Sequence, residues 1–190
     1  MNDDLFRGRL TRLSMVNPQT MAEAFSHWQR DSEYSRLENS ETSFPHSTRI
    51  IKEWIEKYQE KDPTDVYWFT IHTLDENRLI GELGLDGIRW NHGDTYVGIG
   101  IGERQDWNKG YGTDAMRIIL RYAFTELNLQ RVTLNVFEYN PRAIRSYEKA
   151  GFKHEGRVRE YLHRGGRRWD LVYMGILREE WLNQDGNTST

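Results

Sequence analysis

The sequence predicts an α+β fold built on a mixed, mostly antiparallel sheet. Three observations carry that prediction. A strand-like segment at 95–103, a helical one at 110–127 and a strand-like one at 131–137 follow in order, and such a crossover makes its two strands parallel. The other strand-like segments are separated by short turn sequences, Asp75-Glu76-Asn77, Asn91-His92-Gly93-Asp94 and Gly165-Gly166, which join antiparallel neighbours. Strands and helices do not alternate along the whole chain, so the pattern is not that of a doubly wound sheet.

The elements follow in order. Leu10, Leu13 and Met15 mark a first strand, and Asn17-Pro18 a turn or helix start before a helix at 18–30. Residues 31–46 are acidic with few apolar anchors and read as a loop or a short irregular helix. From Arg49 to Gln59, the residues Ile50, Ile51, Trp54, Ile55 and Tyr58 form one apolar helical stripe, with Trp54 and Tyr58 expected in the core and Pro63 closing the element. Strands are expected at Val66 to Leu74, Arg78 to Leu85 and Tyr96 to Gly102. The helix from Gly110 to Leu127 places Met116, Ile119, Leu120, Ala123 and Leu127 at core spacing, and Val132, Leu134 and Val136 alternate in the strand after it. Asn140 to Ala150 forms a helix with Asn140 as N-cap, Pro141 at the first position and Gly151 as the left-handed exit. Arg157 to His163 and Arg167 to Leu177 complete a hairpin.

The 190 residues suit a single domain, expected over 1–182, with 183–190 as a polar tail. The chain is 37% hydrophobic and 13% aromatic, too apolar for a disordered segment. It has no cysteine, which excludes disulfides, thiolate metal sites and a cysteine nucleophile. The acidic start lacks a signal-peptide pattern and no apolar run is long enough to span a bilayer, so a cytoplasmic protein with no membrane partner is expected. A net charge of −3 argues against nucleic acid as the main partner.

Between the first strand and the helix of the crossover runs Glu103-Arg104-Gln105-Asp106-Trp107-Asn108-Lys109-Gly110-Tyr111-Gly112-Thr113. Glycines before a helix N-terminus let a ligand approach unpaired N–H groups in a positive field, which suits a pyrophosphate. By itself, Gly-x-Gly before a helix is more often only a tight turn. A second motif follows the next strand, Asn140-Pro141-Arg142-Ala143-Ile144-Arg145-Ser146-Tyr147-Glu148-Lys149-Ala150-Gly151-Phe152.

Together with the hairpin, these motifs resemble the GNAT acetyltransferase superfamily, most closely its branch of ribosomal-protein N-terminal and spermidine acetyltransferases. The family's loop reads Gln/Arg-x-x-Gly-x-Gly/Ala, and Trp107 to Gly112 stands in that frame with Trp107 as the departure. The second motif fits Asn-x-x-Ala-x-x-x-Tyr-x-x-x-Gly-Phe at each fixed position. The resemblance covers 66–180 well and the first 65 residues in outline, as the variable substrate-binding part.

The resemblance implies a central pair of parallel strands that splay apart, with helices on both faces of the sheet. It implies acetyl-CoA as co-substrate, no metal, and transfer of an acetyl group to a primary amine by direct attack. The acceptor would be a protein N-terminus or a small molecule, and a homodimer is one assembly open to such an enzyme. The main chain around Ile101, Gly102 and Glu103 would bond the pantetheine amides, and that from Asn108 through Lys109, Gly110, Tyr111 and Gly112 to Thr113 the pyrophosphate. Asn140 would bond the arm near the thioester. Tyr147 would face the sulfur as general acid, against the alternative that it packs its helix on the sheet. A main-chain N–H of the splayed strand would hold the oxyanion.

The attacking amine must be neutral, and for an alkyl amine at pH 7 that costs on the order of 4 kcal/mol. A carboxylate, directly or through water, could take the proton. Glu103 at the end of the splayed strand is the first candidate and Glu82 the second; a loop cap and a solvent-facing strand residue are their structural alternatives. The acids between Asp31 and Glu41 could receive a cation or merely be solvated. Arg157, Arg159, Arg164, Arg167 and Arg168 could meet an anion or form a solvated hairpin tip. His154 and His163 lack the carboxylate frame of a metal site. The competing class is a coenzyme-binding sensor or assembly module without catalysis; the presence of Tyr147, Gly110 and Gly112 favours the enzyme.

Overall fold

The computed structural model describes residues 4–60 and 66–185, and Pro63 therefore lies outside the described residues. The order is β1 (Thr11–Met15), α1 (Pro18–Trp28), α2 (Ser32–Glu38), α3 (Thr48–Gln59), β2 (Val66–Thr73), β3 (Leu79–Arg89), β4 (Asp94–Ile101), α4 (Tyr111–Thr125), β5 (Arg131–Phe137), α5 (Pro141–Ala150), β6 (Lys153–Arg164), β7 (Arg167–Leu177) and α6 (Arg178–Asp185). A 3-10 turn, Arg104–Asp106, sits between β4 and α4. The seven strands form one sheet in the order β1-β2-β3-β4-β5-β7-β6, and β4–β5 is its parallel pair.

That pair positions everything that follows. β4 and β5 are joined at Asp94↔Arg131, Thr95↔Val132 and Tyr96↔Thr133, and the ladder stops there although the strands continue to Ile101 and Phe137. Their outer neighbours hold them in place: β3 pairs with β4 up to Ile101, and β7 with β5 up to Phe137. The result is the expected splayed gap in the middle of an otherwise continuous sheet.

The two faces of the sheet carry separate cores. On one, α4 packs Met116, Ile119, Leu120 and Phe124, all fully buried, against Leu83, Leu85, Leu134 and Ile176. On the other, α1, α2 and α3 gather Met21, Trp28, Tyr34, Ile51 and Ile55 around Trp68. Alternation on β2 explains the division, since Phe69 and Ile71 point to the first core and Trp68 to the second.

Local chemistry sets the helix ends. Asn17 accepts from Thr20 N at 3.0 Å with Pro18 following it, and Asn140 accepts from Ala143 N at 3.1 Å ahead of Pro141. Gly151 leaves α5 at φ 105°. Gly165 and Gly166, at φ 63° and 73°, form the two-residue turn that the sequence predicted between β6 and β7.

Four details differ from the sequence reading. The acidic stretch after residue 31 contains a regular helix, α2, because Asp31 caps it by accepting from Glu33 N at 2.9 Å. Trp54 is 51% exposed rather than core, since Ile51 and Ile55 alone take the inner face of α3. α4 stops at Thr125, and Leu127 packs on the core from the loop beyond it. Helix α6 continues through Asp185, where a tail was expected from Asn183, and Trp181 anchors it on Phe124 at a ring distance of 5.6 Å. The rest of that tail lies outside the described residues.

Candidate active site

The splay opens a cavity of about 570 Å³. Its walls are the free ends of β4 and β5, the loop from Trp107 to Thr113, and one face of α5. Asn108 (φ 60°) and Gly110 (φ 89°) turn that loop into α4, and Gly110 caps the helix with no side-chain hydrogen bond. The first N–H groups of α4 therefore have neither an intrahelical partner nor a side-chain cap. A Cβ on Gly112 would lie 3.6 Å from Ser146 Oγ and 3.9 Å from Ile101 Cγ1, so this glycine keeps the floor of the cradle open. Arg142, Arg145 and Lys149 of α5 line the same cavity and give it a cationic wall.

Two buried carboxylates brace the loop. Asp106, 2% exposed, takes a bidentate bond from Arg78 at 2.6 and 2.8 Å. Asp114, 7% exposed, accepts from the main-chain N–H groups of Arg9, Leu10 and Thr11 and from Thr11 Oγ1 at 2.8–3.0 Å. These bonds tie the start of α4 to the segment that leads into β1. Trp107 donates Nε1–H to Ile101 O at 2.8 Å, and Arg142 stacks on its ring at 3.6 Å. None of these bracing contacts was read from the sequence, because each joins residues remote along the chain or across a turn.

Most of the expected site residues come together here. Ile101, Asn108, Gly110, Tyr111, Gly112, Thr113, Asn140 and Tyr147 line the cavity. Three do not. Lys109 turns back toward Asp106, with Nζ 3.8 Å from Oδ1. Gly102 lies under the Trp28 indole, where a Cβ would sit 2.0 Å from the ring, and its N–H bonds Ile80 O at 2.9 Å. Glu103 follows it to a separate hollow and faces His27 Nε2 at 3.1 Å. The first-ranked carboxylate is thus turned away from the cavity that holds Tyr147.

Glu82 takes a different position. It borders a second cavity of about 410 Å³ among Trp54, Tyr58 and Trp68, and this cavity meets the first along Glu38, Asp86 and Gly98. Glu82 is not solvent-facing but lies under the α1–α3 layer, where Trp68 Nε1 donates to its Oε2 at 2.7 Å. A Cβ on Gly100 would stand 3.1 Å from Glu82 Oε1 and 3.3 Å from Tyr34 Oη, so the bare strand lets both groups converge over its main chain. Gly98 and Gly100 occupy alternate positions on β4 and so clear one face of it.

The electrostatics of the cluster follow from this enclosure. Burial pushes the Glu82 carboxyl up to about 8, the Glu38 charge adds to the shift, and the Trp68 N–H opposes it. Desolvation also raises Glu38, although its side chain is exposed at one side, and the nearby Tyr34 hydroxyl opposes the shift. Tyr34 itself is 3% exposed, and its hydroxyl stands beside the Glu38 carboxyl. Tyr147 is pushed up to about 12 by burial and then by the charge on Glu82. The two adjoining cavities differ in the charges at their far ends. Away from the Glu38 and Asp86 they share, one presents N–H groups with Arg142, Arg145 and Lys149, suited to an anionic ligand, and the other presents Glu82 and aromatic rings with no cationic side chain, suited to a cation.

The basic hairpin is largely engaged with the protein itself. Arg157 pairs with Asp170 at 3.0 Å, Arg167 stacks on Trp169 at 4.1 Å, and Arg164 reaches α2. Among the described residues, no helix is long and apolar enough to cross a membrane.

Residues 12–153 match the acetyltransferase (GNAT) domain family. The chain is 31% identical over 163 residues to the spermidine N(1)-acetyltransferase of Vibrio cholerae, covering 78% of this chain and 94% of that protein. It is 29% identical over 144 residues to the putative ribosomal N-acetyltransferase YdaF of Bacillus subtilis, covering 76% and 75%. Among solved structures, it is similar to the Vibrio cholerae spermidine N-acetyltransferase in complex with CoA and spermine, with a TM-score of 0.79, 25% identity, and coverage of 91% of this chain and 98% of that one.

Proposed function

The chain belongs to the acetyltransferase (GNAT) family and transfers an acetyl group from acetyl-CoA to an amine, and from that premise we propose that its acceptor is a small cationic amine held in the acidic second cavity. The observation that carries this reading is the shared edge of the two cavities. There Glu38, Asp86 and Gly98 border a cationic cleft on one side and a carboxyl- and aromatic-lined one on the other.

The first cavity fits the coenzyme. A left-handed Gly110, an uncapped helix N-terminus and the open floor at Gly112 are what a pyrophosphate needs. The main chain from Asn108 to Thr113 would hold it, with Arg142, Arg145 and Lys149 meeting phosphate charge. The unpaired ends of β4 and β5 leave main-chain groups free for the pantetheine amides. Asn140 spends its Oδ1 on capping α5, which leaves its amide N–H₂ for the arm.

When bound, acetyl-CoA supplies a thioester carbonyl open to attack and a sulfur that leaves as thiolate. The chain's own groups do the rest. Glu82, in its carboxylate form, takes the proton from the incoming ammonium; its raised pKa brings the two groups closer in proton affinity than a solvent-exposed carboxylate would be. Glu38 and Asp86 hold the cation, and Trp68 and Tyr58 flank it. Tyr147 keeps its proton at neutral pH and offers it to the sulfur. Main-chain N–H groups on the β5 edge of β4 beyond Tyr96, where pairing with β5 has stopped while β3 still pairs the other edge, would meet the carbonyl oxygen. Glu82 replaces Glu103 as the proposed base because Glu103 faces His27 instead.

A protein N-terminus is the second reading, favoured by Trp54 standing half exposed at the rim of the second cavity. The comparisons give no support to a coenzyme-binding module without catalysis.

A conjugate that joins coenzyme A through an acetyl bridge to a diamine tests the shared edge. It should bind about a hundredfold tighter than coenzyme A alone, because one molecule then fills both cavities. Equal affinity of the two ligands would remove the second cavity from the reaction.

A further inference from the structure

Helix α2 is seven residues long, yet it carries Tyr34, which lines the coenzyme-side cavity, and Glu38, which borders both cavities. A helix of that length has too few internal hydrogen bonds to be stable by itself. Two arginines from distant parts of the chain hold it by its ends. At the N-terminal end, Arg104 meets Asp31 Oδ1 at 2.7 Å and Glu33 Oε2 at 2.7 Å. At the other end stands Arg164, the last residue of β6.

Arg164 forms a grip on main-chain carbonyls. Its Nη1 donates to Arg36 O at 2.5 Å and to Asn39 O at 3.2 Å, and its Nη2 donates to Glu41 O at 2.9 Å. Tyr139 completes the grip, since its Oη donates to Arg36 O at 2.6 Å and accepts from Arg164 Nη1 at 2.7 Å. Tyr139 is itself fixed, stacked on Phe137 at 5.2 Å and met edge-on by Trp169 at 5.2 Å. The carbonyls at a helix C-terminus lack intrahelical donors and carry partial negative charge, so a planar guanidinium suits them in charge and in geometry. A lysine would supply the charge without the fork.

Neither Arg164 nor Tyr139 lines either cavity, while the helix they hold places Glu38 on the edge the cavities share. We propose that Arg164, assisted by Tyr139, is a positioning residue for the amine acceptor, acting by clamping the C-terminal end of α2 so that Glu38 faces the bound cation. This rests on the reading of the second cavity as the acceptor site. It also gives the basic hairpin tip a task inside the enzyme.

The test compares Arg164→Ala, Arg164→Lys and Tyr139→Phe with the parent enzyme, by steady-state kinetics and by amide hydrogen exchange. In Arg164→Ala, exchange at residues 35–41 should accelerate while the sheet stays protected. KM for a diamine acceptor should rise about tenfold, with kcat and the KM for acetyl-CoA within about threefold. Arg164→Lys should not restore the diamine KM, and Tyr139→Phe, which removes a single hydroxyl, should move it less but in the same direction. Unchanged exchange at 35–41, or full rescue by lysine, would overturn the clamp. So would an unchanged diamine KM, and Glu38→Gln then shows where the failure lies. If Glu38→Gln raises that KM while Arg164→Ala does not, the acceptor cavity stands and the clamp is wrong. If both leave it unchanged, the acceptor reading has failed with it.

Discussion

The indole of Trp68 reaches from β2 to β3 and donates Nε1–H to Glu82 Oε2 at 2.7 Å. That bond favours the carboxylate, whereas burial and the charge on Glu38 favour the neutral acid, and the second pair of effects wins. Glu82 is left with a carboxyl that changes charge near neutral pH. The behaviour of the enzyme with pH follows from this balance.

Only the carboxylate form of Glu82 accepts a proton, so kcat/KM for the amine should climb as pH rises through about 8. Glu82→Gln should remove that limb from the profile and lower kcat by about 10²–10⁴-fold. A variant that keeps both rate and limb would take Glu82 out of the reaction.

Removing the indole N–H while keeping an aromatic ring isolates the hydrogen bond. In Trp68→Phe the carboxylate loses its donor, the Glu82 carboxyl rises further, and the limb should move to higher pH. A shift to lower pH would contradict the assigned direction.

The same carboxyl makes stability depend on pH. Its folded value of about 8 lies above its ordinary 4.5, so between those values the folded chain holds a proton that the unfolded chain has lost. Whatever Glu82 contributes to stability is present in full below pH 4.5 and is lost as pH rises through 8. Thermal denaturation of Glu82→Gln should therefore show a Tm gain over the parent that is small at pH 4.5 and larger at pH 9. Each 1 kcal/mol recovered would appear as about 2–4 °C. An equal gain at both pH values would mean that the carboxyl is not perturbed.

Tyr147 keeps its proton far above neutral pH and lines the first cavity, the proposed coenzyme site. Tyr147→Phe should lower kcat by about 10²-fold while leaving acetyl-CoA affinity within about threefold. Loss of affinity with unchanged turnover would assign the ring to packing alone.

Gly112→Glu would add a long charged side chain at the cradle, from a Cβ in ordinary contact with Ser146 Oγ at 3.6 Å. Calorimetry should show acetyl-CoA binding weakened more than about a hundredfold, from lost space and from charge repulsion. Intact affinity would move the coenzyme out of this loop.

The cavity proposed for the coenzyme was legible in the sequence because the signals for its walls are local. Asn140-Pro141 and Gly151 set both ends of α5, and Gly110 sets the start of α4, so the positions of Tyr147 and of the loop follow from short-range stereochemistry. The cavity proposed for the acceptor was less legible. Glu103 lies just beyond β4 at a 3-10 turn, where strand alternation no longer fixes the direction of a side chain, and His27 captures it. Glu82 sits on a regular strand, but its partners come from two other segments, Trp68 from β2 and Tyr34 and Glu38 from α2, so its burial is a tertiary property. Trp54 shared the apolar stripe of α3 and turned out to rim an open cavity, because periodicity marks a face without saying what covers it. The arginines of the hairpin read as a charged surface, and the grip of Arg164 on carbonyls more than a hundred residues away along the chain left no trace in sequence spacing.

Release of free coenzyme A thiol from acetyl-CoA, followed across a panel of diamines, polyamines, neutral amines and peptides with free N-termini, tests the central claim most directly. The account predicts turnover with small cationic amines, weaker turnover with neutral amines of the same length, and loss of both in Glu82→Gln. Turnover confined to peptides, with every small cation inert, would contradict it.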